Sequence, residues 1–226
     1  MERFSKFKKK PFSQRFDLLL LSNSQMNLAS TIQFIPIQTD IYLLDQIMKG
    51  RYIKGQKILD AGCGGGRNLQ WFIQEGFDCY GIDRNTAAID SLRNDYPSIA
   101  SKNLIACPVE KMQFTDEYFD HIISSAVLHF AKNTQHFKAM IGEMVRILKK
   151  GGSLFIRMTS DIGIEQTVKL IEDGVYEIPD GSVRFLLTRQ MVNELLQTHS
   201  LSFLEPLKTV NVDDVRCMST LMLMKN

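Results

Sequence analysis

The stretch KILDAGCGGGRN, residues 57–68, restricts the possible fold more than any other part of this chain. A short apolar run, typical of a buried strand, leads directly into a cluster of glycines, and a helical pattern follows. Glycines at such a junction let the backbone turn sharply and approach a ligand, while the next helix offers unpaired N–H groups. The stretch therefore predicts a strand–turn–helix unit that binds a nucleotide-like ligand.

Strand and helix patterns alternate through most of the remaining chain. Four further apolar runs have the length and composition of strands: 78–83, 103–110, 120–127 and 153–158. Such βαβ units build a parallel sheet with right-handed crossovers. Near the end, the runs 201–212 and 217–225 have no helix between them, so we expect an antiparallel hairpin at the sheet edge. Pro206 cannot donate to a strand ladder, which favours an edge or bulge position for the first run.

Two helical patterns are clear enough to predict their ends. In residues 39–50, Thr39 or Asp40 can serve as the N-cap and Gly50 as the stop. Residues 135–152 carry a stripe of apolar side chains at steps of three and four: Phe137, Met140, Ile141, Met144, Val145 and Leu148. Lys149 and Lys150 suit the negative end of that helix dipole, so we expect this helix to end at the glycine pair 151–152.

The formal net charge of +2 is concentrated in the first fifteen residues, where six lysines and arginines face one glutamate. The rest of the chain is slightly acidic, which argues against a nucleic-acid-binding surface on its folded part. The basic tail could contact RNA or an anionic membrane, or simply be solvated. At 226 residues the chain is long enough for one sizeable domain.

The cysteines and histidines do not indicate a metal site. Cys63, Cys79, Cys107 and Cys217 are widely spaced, which is typical of reduced thiols rather than zinc ligands or a disulfide scaffold. The four leucines at 18–21 are far fewer than the roughly 20 apolar residues that a membrane span needs. The N-terminus lacks the pattern of a secretory signal. We therefore expect a cytoplasmic protein with no metal and no membrane partner.

Two acidic residues distinguish the classes of ligand. Asp83 ends the second predicted strand, where a carboxylate accepts hydrogen bonds from ribose hydroxyls in more than one cofactor class. The dinucleotide fingerprint needs a small residue at position 67, but Arg67 stands there. Asp60, just before the glycines, is unfavourable beside a pyrophosphate but suits a ligand that carries an ammonium group. A dehydrogenase is therefore disfavoured.

The pattern D-x-G-x-G-x-G, formed by Asp60, Gly62, Gly64 and Gly66, resembles the first motif of the class I S-adenosylmethionine-dependent methyltransferases. Three later segments resemble further motifs of that family: YGIDRN (80–85), CPVEKMQFTDEYFDHIISSAVLHF (107–130) and ILKKGGSLFI (147–156). The resemblance implies an α/β, Rossmann-like fold with a seven-stranded, mostly parallel sheet, an antiparallel last strand and helices on both faces. Gly66-Arg67-Asn68 also resembles the small-molecule branch that includes tellurite-resistance and thiopurine-type methyltransferases.

The resemblance assigns a cofactor, S-adenosyl-L-methionine, and a set of residues around it. The implied cofactor-binding residues are Asp60, Gly62, Cys63, Gly64, Asp83, Arg84, Val109, Glu110 and Ser124. Within this set, Asp60 faces the methionine amino group and Asp83 faces the ribose. Pro108 stands where many relatives have Asp, so we expect the backbone around Val109 and the Glu110 side chain to hold the adenine.

The sequence gives a less specific signal for the residues that bind the methyl acceptor. His129 follows the fourth strand, where this family meets its acceptor, and is a candidate base or orienting group, or a packed histidine. The connection 174–188 contains Tyr176 and Arg184, candidate substrate-binding residues, and forms either a lid over the acceptor or a plain surface hairpin. Arg67 could hold the methionine carboxylate or an anionic acceptor, or be solvated.

The function that these patterns favour is methyl transfer to a small-molecule acceptor. We expect residues 1–38 to form a basic tail and a lead-in that covers the cofactor site, and residues 39–226 to form a single methyltransferase domain. The acidic folded part argues against a nucleic-acid partner, although the basic tail favours a tRNA or rRNA methyltransferase as the alternative. A regulator that binds S-adenosylmethionine without catalysis would carry the same glycine motif.

Overall fold

The computed structural model describes residues 38–226, so the predicted tail and lead-in lie outside the described residues except for residue 38. Within this range the strands are β1 (Lys57–Ala61), β2 (Asp78–Asp83), β3 (Leu104–Ala106), β4 (Phe119–Ser125), β5 (Leu148–Ser160), β6 (Lys169–Glu172), β7 (Val175–Glu177), β8 (Val183–Phe185), β9 (Leu201–Phe203), β10 (Lys208–Val212) and β11 (Arg216–Lys225). The α-helices are α1 (Ile41–Met48), α2 (Gln70–Gln74), α3 (Thr86–Asp95), α4 (Thr134–Ile147) and α5 (Arg189–Thr198).

The central sheet has the strand order β10-β11-β5-β4-β1-β2-β3. Strands β1 to β5 pair in parallel, and β11 runs antiparallel to β5, which confirms the predicted fold class. The predicted run 201–212 is divided into β9 and β10, and both pair antiparallel with β11, so eight strands replace the expected seven. Pro206 lies in the break, as its missing N–H requires.

The core lies on both faces of this sheet. Alternate residues of β1 point to opposite sides, so that Ile58 belongs to one buried cluster and Leu59 and Ala61 to the other. Helices α1, α2 and α3 cover the first cluster, and α4 and α5 cover the second. Because a parallel sheet is covered on both faces, its polar groups can reach solvent or a ligand only at the strand ends. No helix of residues 38–226 has the length and apolar character that crossing a bilayer demands.

Helix α4 ends earlier than its sequence pattern predicts. Its last helical residue is Ile147, and Leu148 already has extended backbone angles and pairs with Phe119 of β4. The expected end at the glycine pair 151–152 is therefore wrong. The pairing of β4 with β5 overrides the helical pattern, and the glycines instead lie where the register of these two strands shifts. A Cβ atom on Gly152 would lie 2.7 Å from the carbonyl oxygen of Asp120.

Gly142, in the middle of α4, gives a first prediction. A Cβ atom at this position would have no atom within 4 Å, and a glycine inside a helix costs conformational entropy. Gly142→Ala is therefore expected to raise the free energy of unfolding by about 0.5–1 kcal/mol, measured by urea denaturation. The matched control, Gly152→Ala, should lower it because of the close carbonyl contact. A loss of stability in Gly142→Ala would contradict an open position on this helix.

Candidate active site

The glycine turn follows β1 at the carboxyl edge of the sheet. The N–H groups of Gly62 and Cys63 both donate to the carbonyl oxygen of Ile82, each at 2.8 Å, which holds the turn against the end of β2. Gly62 has φ +89°, and a Cβ atom there would lie 2.4 Å from a methyl carbon of Val127. Only glycine fits this position without strain, which explains the glycine in the sequence motif.

Asp83 connects the glycine turn to the end of β2. Its Oδ2 accepts a hydrogen bond from the N–H of Gly64 at 2.9 Å, and its Oδ1 accepts one from the N–H of Asn85 at 2.8 Å. Asn85 in turn caps α3, because its side chain accepts from the N–H groups of Ala87 and Ala88. The carboxylate is therefore fixed in orientation before any ligand binds.

A cavity of about 490 Å³, here called the cofactor cavity, opens at these strand ends. Its lining includes five residues that the sequence resemblance predicted, namely Gly62, Asp83, Arg84, Val109 and Glu110. The volume lies within the range of small-molecule and cofactor sites. Sequence reasoning missed Phe130, Lys132, His136 and Met140, which also line it. These residues follow β4 or lie on α4. The sequence pattern identified α4 by its buried apolar stripe, and that pattern does not show which of its residues face a cavity.

Asp60 lies under the glycine turn and is 1% exposed. Neither of its carboxylate oxygens has a hydrogen-bond partner among residues 38–226. Burial raises the pKa of Asp60 to about 7, although the charge of nearby Arg67 opposes the shift. A buried carboxylate without a partner is costly, and an ammonium group would supply the missing positive charge and hydrogen bonds. The site therefore fits a ligand with a methionine-like amino group.

Four predicted cofactor residues are not among those that line the cavity: Asp60, Cys63, Gly64 and Ser124. Ser124 is fully buried on β4, and its hydroxyl has no partner within the described part of the chain. Cys63 is buried with its sulfur facing Gly81, where an added Cβ atom would lie 3.0 Å away. Contacts from these two residues would have to come from the backbone, so their assigned role stays a prediction.

A second cavity, of about 430 Å³, adjoins the first and shares Ala126 with it. We call it the arginine cavity, because its lining includes Arg157, Arg184 and Arg216 together with His129. The arginines come from β5, β8 and β11, and β11 begins where the parallel strand β5 ends because the two run antiparallel. The predicted candidates His129 and Arg184 are thus brought together, although 55 positions separate them in the chain.

His129 lies in a short 3₁₀ turn, Leu128–Phe130, and is buried. Burial lowers its pKa to about 4, and the positive charges of Arg184, Arg216 and Arg157 act in the same direction. The imidazole is therefore neutral at physiological pH. A neutral histidine with so low a pKa can orient an acceptor through a hydrogen bond but is a weak proton acceptor.

The connection 174–188, predicted as a lid or a plain surface hairpin, forms the hairpin β7–β8, and β6 pairs with β7 to complete a small antiparallel sheet. Tyr176 on β7 pairs with Arg184 on β8. The Arg184 guanidinium lies over the ring of Phe130, 5.2 Å from its centre, so the hairpin contacts the segment after β4. Arg184 lines the arginine cavity and Tyr176 does not line either cavity.

A buried polar cluster beside Arg157 was missed in the sequence. Asp40 caps α1 as predicted, and its Oδ2 also accepts hydrogen bonds from Ser125 Oγ at 2.7 Å and from Arg157 Nη1 at 3.3 Å. Arg157 also lies over the ring of Tyr42. The available signal was positional, since Ser125 and Arg157 lie at the carboxyl ends of neighbouring parallel strands. Asp40 gave no such signal, because 85 residues separate it from Ser125.

Comparison with known proteins agrees with this architecture. Residues 59–156 match a protein family described as a methyltransferase domain. The PH0226 protein of Pyrococcus horikoshii has a similar structure, with a TM-score of 0.65 and 18% identity over 87% of this chain and 99% of that one. An S-adenosylmethionine-dependent methyltransferase of Clostridium acetobutylicum has a TM-score of 0.63 and 12% identity, over 81% of this chain and 89% of that one. Residues 59–156 belong to a methyltransferase domain family, and the chain has the fold of an S-adenosylmethionine-dependent methyltransferase.

The curated relatives of this chain include proteins named for different acceptors. A putative methyltransferase of Encephalitozoon cuniculi is 31% identical over 46% of this chain and 46% of that protein. The mitochondrial ubiquinone biosynthesis O-methyltransferase of Rattus norvegicus is 31% identical over 68% of this chain and 46% of that protein. A tRNA (carboxymethyluridine(34)-5-O)-methyltransferase of Xenopus tropicalis is 29% identical over 46% of this chain and 15% of that protein. This chain thus spans less than half the length of each of the three.

The prediction of the methyltransferase family and of S-adenosylmethionine as its cofactor is confirmed. The narrower resemblance to the tellurite-resistance and thiopurine-type branch stays a prediction. The same holds for the role of each individual site residue, because family membership does not report single contacts.

Proposed function

We propose that this protein is an enzyme that transfers a methyl group from S-adenosylmethionine to a small-molecule acceptor. The observation that carries the proposal is the pair of adjoining cavities, one beside the glycine turn and one beyond Ala126. A donor and an acceptor that occupy neighbouring cavities can be held in line, which is the main requirement of a displacement at carbon. The second cavity has the volume of a site for a small organic molecule.

The described geometry supports the following proposed cofactor contacts. Asp60 holds the methionine ammonium, and the backbone at Gly62 and Gly64 passes close to the methionine part. Asp83 keeps its two backbone hydrogen bonds and accepts from the ribose hydroxyls with its remaining lone pairs. Val109 and Glu110, which line the same cavity as Arg84, are assigned to the adenine.

When bound, S-adenosylmethionine supplies a methyl group on a positively charged sulfur, so that an acceptor lone pair takes the methyl carbon and the electrons of the broken carbon–sulfur bond stay on sulfur. The protein's own residues align the acceptor and exclude water. We assign His129 to orienting the acceptor rather than to strong base catalysis, because its pKa lies near 4. Some acceptor groups must lose a proton during the transfer. Such a group would pass its proton to His129 only after bond formation to the methyl carbon has lowered the pKa of the acceptor group.

We further propose that residues 39–226 are one methyltransferase domain and that it works in the cytoplasm. The support for a reducing compartment is that all four cysteines are free thiols, and three of them are buried. The proposed covering role of residues 1–38 concerns a segment that lies almost wholly outside the described residues.

The proposal is tested by ligand-dependent stability and by turnover. S-adenosylhomocysteine at 100 times its Kd should add about 2.7 kcal/mol to the stability, which corresponds to a Tm increase of roughly 5–10 °C. NAD at the same concentration should leave Tm unchanged. Methyl transfer from isotope-labelled S-adenosylmethionine to small acids, phenols or thiols should then be detected. Stabilisation without turnover on any acceptor would favour a non-catalytic regulator, and no stabilisation would refute the proposal.

An RNA methyltransferase is the second candidate, because one relative is named as a tRNA methyltransferase and the first fifteen residues are strongly basic. Binding through such a tail would weaken steeply with salt. Deletion of residues 1–12 should abolish salt-dependent RNA binding if RNA is the acceptor. It should leave small-molecule turnover unchanged if the acceptor is a small molecule.

A further inference from the structure

The arginine cavity brings several positively charged side chains together. Arg157, Arg184 and Arg216 all line it, together with one carboxylate, Asp180, and the uncharged groups Ser182 and Thr159. Each guanidinium comes from a different strand, so the arrangement depends on the tertiary fold and not on a local basic run. A guanidinium presents several N–H donors in a planar array that matches the oxygens of a carboxylate or phosphate.

The carboxylates around the cavity do not neutralise all of this charge. Arg157 is paired with the buried carboxylate of Asp40 at 3.3 Å. Asp180, which also lines the cavity, lies 3.6 Å from Arg216 and forms a loose ion pair with it. Arg184 has no carboxylate within 4 Å in the described part of the chain, and its Nη1 donates only to the carbonyl oxygen of Val183. Arg184 therefore has no ion-pair partner among residues 38–226.

The surroundings increase the effect of that charge. His129 is neutral, so it adds a hydrogen-bonding group without adding charge. Phe130 lies under the Arg184 guanidinium and fixes it beside the segment that separates the two cavities. Since the arginine cavity adjoins the cofactor cavity at Ala126, a molecule held by Arg184 has one end next to the methyl donor site.

We infer that the arginine cavity binds an anionic group, a carboxylate or a related oxyanion, of a small-molecule methyl acceptor, with Arg184 and Arg216 as the contacting residues. The inference rests on the proposed function, since it names the acceptor class of the same site. A cavity of this size admits one acidic group and a ring or short chain, whereas the slightly acidic folded part of the chain is unsuited to the backbone of a long RNA.

The experiment measures binding of matched acid and amide pairs to the full chain saturated with S-adenosylhomocysteine. The probes are benzoate and benzamide, 4-hydroxybenzoate and 4-hydroxybenzamide, hexanoate and hexanamide, and phenyl phosphate against phenol, with calorimetry as the readout. At least one acid should bind about tenfold or more tightly than its neutral partner, as expected for charge-assisted hydrogen bonds. Arg184→Gln and Arg216→Gln should each remove most of that preference.

The controls separate this inference from the proposed function and from misfolding. Arg189→Gln, an exposed arginine at the start of α5, should keep the full preference for acids. Binding of S-adenosylhomocysteine is measured in every variant, which reports both folding and the cofactor site. Failure of the wild-type chain to bind S-adenosylhomocysteine refutes the proposed function itself.

Three results would overturn the inference while the cofactor still binds. The first is equal binding of acids and their neutral partners across the panel. The second is an unchanged preference for acids in Arg184→Gln and Arg216→Gln. The third is a loss of S-adenosylhomocysteine affinity in these variants as large as the loss of acid affinity, which would assign the arginines to the cofactor's own carboxylate. Salt-dependent binding of a single-stranded RNA oligonucleotide in place of the acids would support the RNA alternative instead.

Discussion

Asp60→Asn is expected to weaken the binding of S-adenosylhomocysteine by on the order of a hundredfold or more, as measured by calorimetry at pH 7.5. The physical reason is the loss of a buried charge opposite the ligand ammonium, which leaves that ammonium without a counter-charge. The same substitution should stabilise the free protein, because it removes a buried carboxylate that has no partner within the described residues. Tighter folding together with lost binding is a combination that a purely structural role of Asp60 would not produce.

The pH dependence gives the same prediction a second readout. Burial raises the pKa of Asp60 from 3.8 to about 7, so the folded free protein holds this proton over a range where the unfolded chain has released it. The contribution of Asp60 to the stability of the ligand-free protein, measured as the difference between the wild type and Asp60→Asn, should therefore fall as pH rises from about 4 to 7. Cofactor affinity should rise over the upper part of this range and decline above about pH 8, where an α-amino group loses its proton.

The matched control for Asp60→Asn is Asp90→Asn. Asp90 lies on the exposed side of α3 and, among residues 38–226, pairs only with Arg93, three residues later. It should leave both the cofactor affinity and its pH profile unchanged. An Asp60→Asn variant that binds the cofactor with wild-type affinity, or that keeps the rise in affinity up to pH 7, would remove Asp60 from the ammonium site.

Gly62→Ala should destabilise the protein by about 2–4 kcal/mol, because two separate costs add at this position. The backbone has φ +89°, where a side chain is strained whatever the space. The new methyl carbon would also lie 2.4 Å from a methyl carbon of Val127. Denaturant unfolding measures the loss, and cofactor affinity should fall with it because the turn lines the cofactor cavity.

The two costs at Gly62 can be separated with Val127→Ala. In the double variant the steric clash is relieved while the backbone strain remains, so the loss of stability should be smaller than the sum of the single losses. Gly65→Ala is the control within the same turn, since its Cβ atom would have no neighbour within 4 Å and its φ is not positive. Equal losses in Gly62→Ala and Gly65→Ala would indicate a general sensitivity of the turn.

Local patterns predicted the fold class and the cofactor well because their physical causes are local. The alternation of strand and helix patterns in the sequence is enough to locate the ends of β1 and β2. The glycines before α2 and the carboxylates Asp60 and Asp83 lie at these strand ends. The structure differs from these predictions where pairing between distant strands overrides the local sequence pattern. Leu148 left its helical stripe to pair with β4, and β9 and β10 divided at Pro206.

The side chains that surround the acceptor could be found only in three dimensions. Arg157, Arg184 and Arg216 carry no common motif, and each alone is an ordinary strand residue. They meet because β11 runs antiparallel to β5 and so begins where β5 ends, and because the β7–β8 hairpin contacts the turn at Phe130. Sequence spacing thus encodes a cofactor loop whose parts are neighbours in the chain. The charge of the adjoining cavity depends on strand order and direction, which emerge only when the whole sheet is assembled.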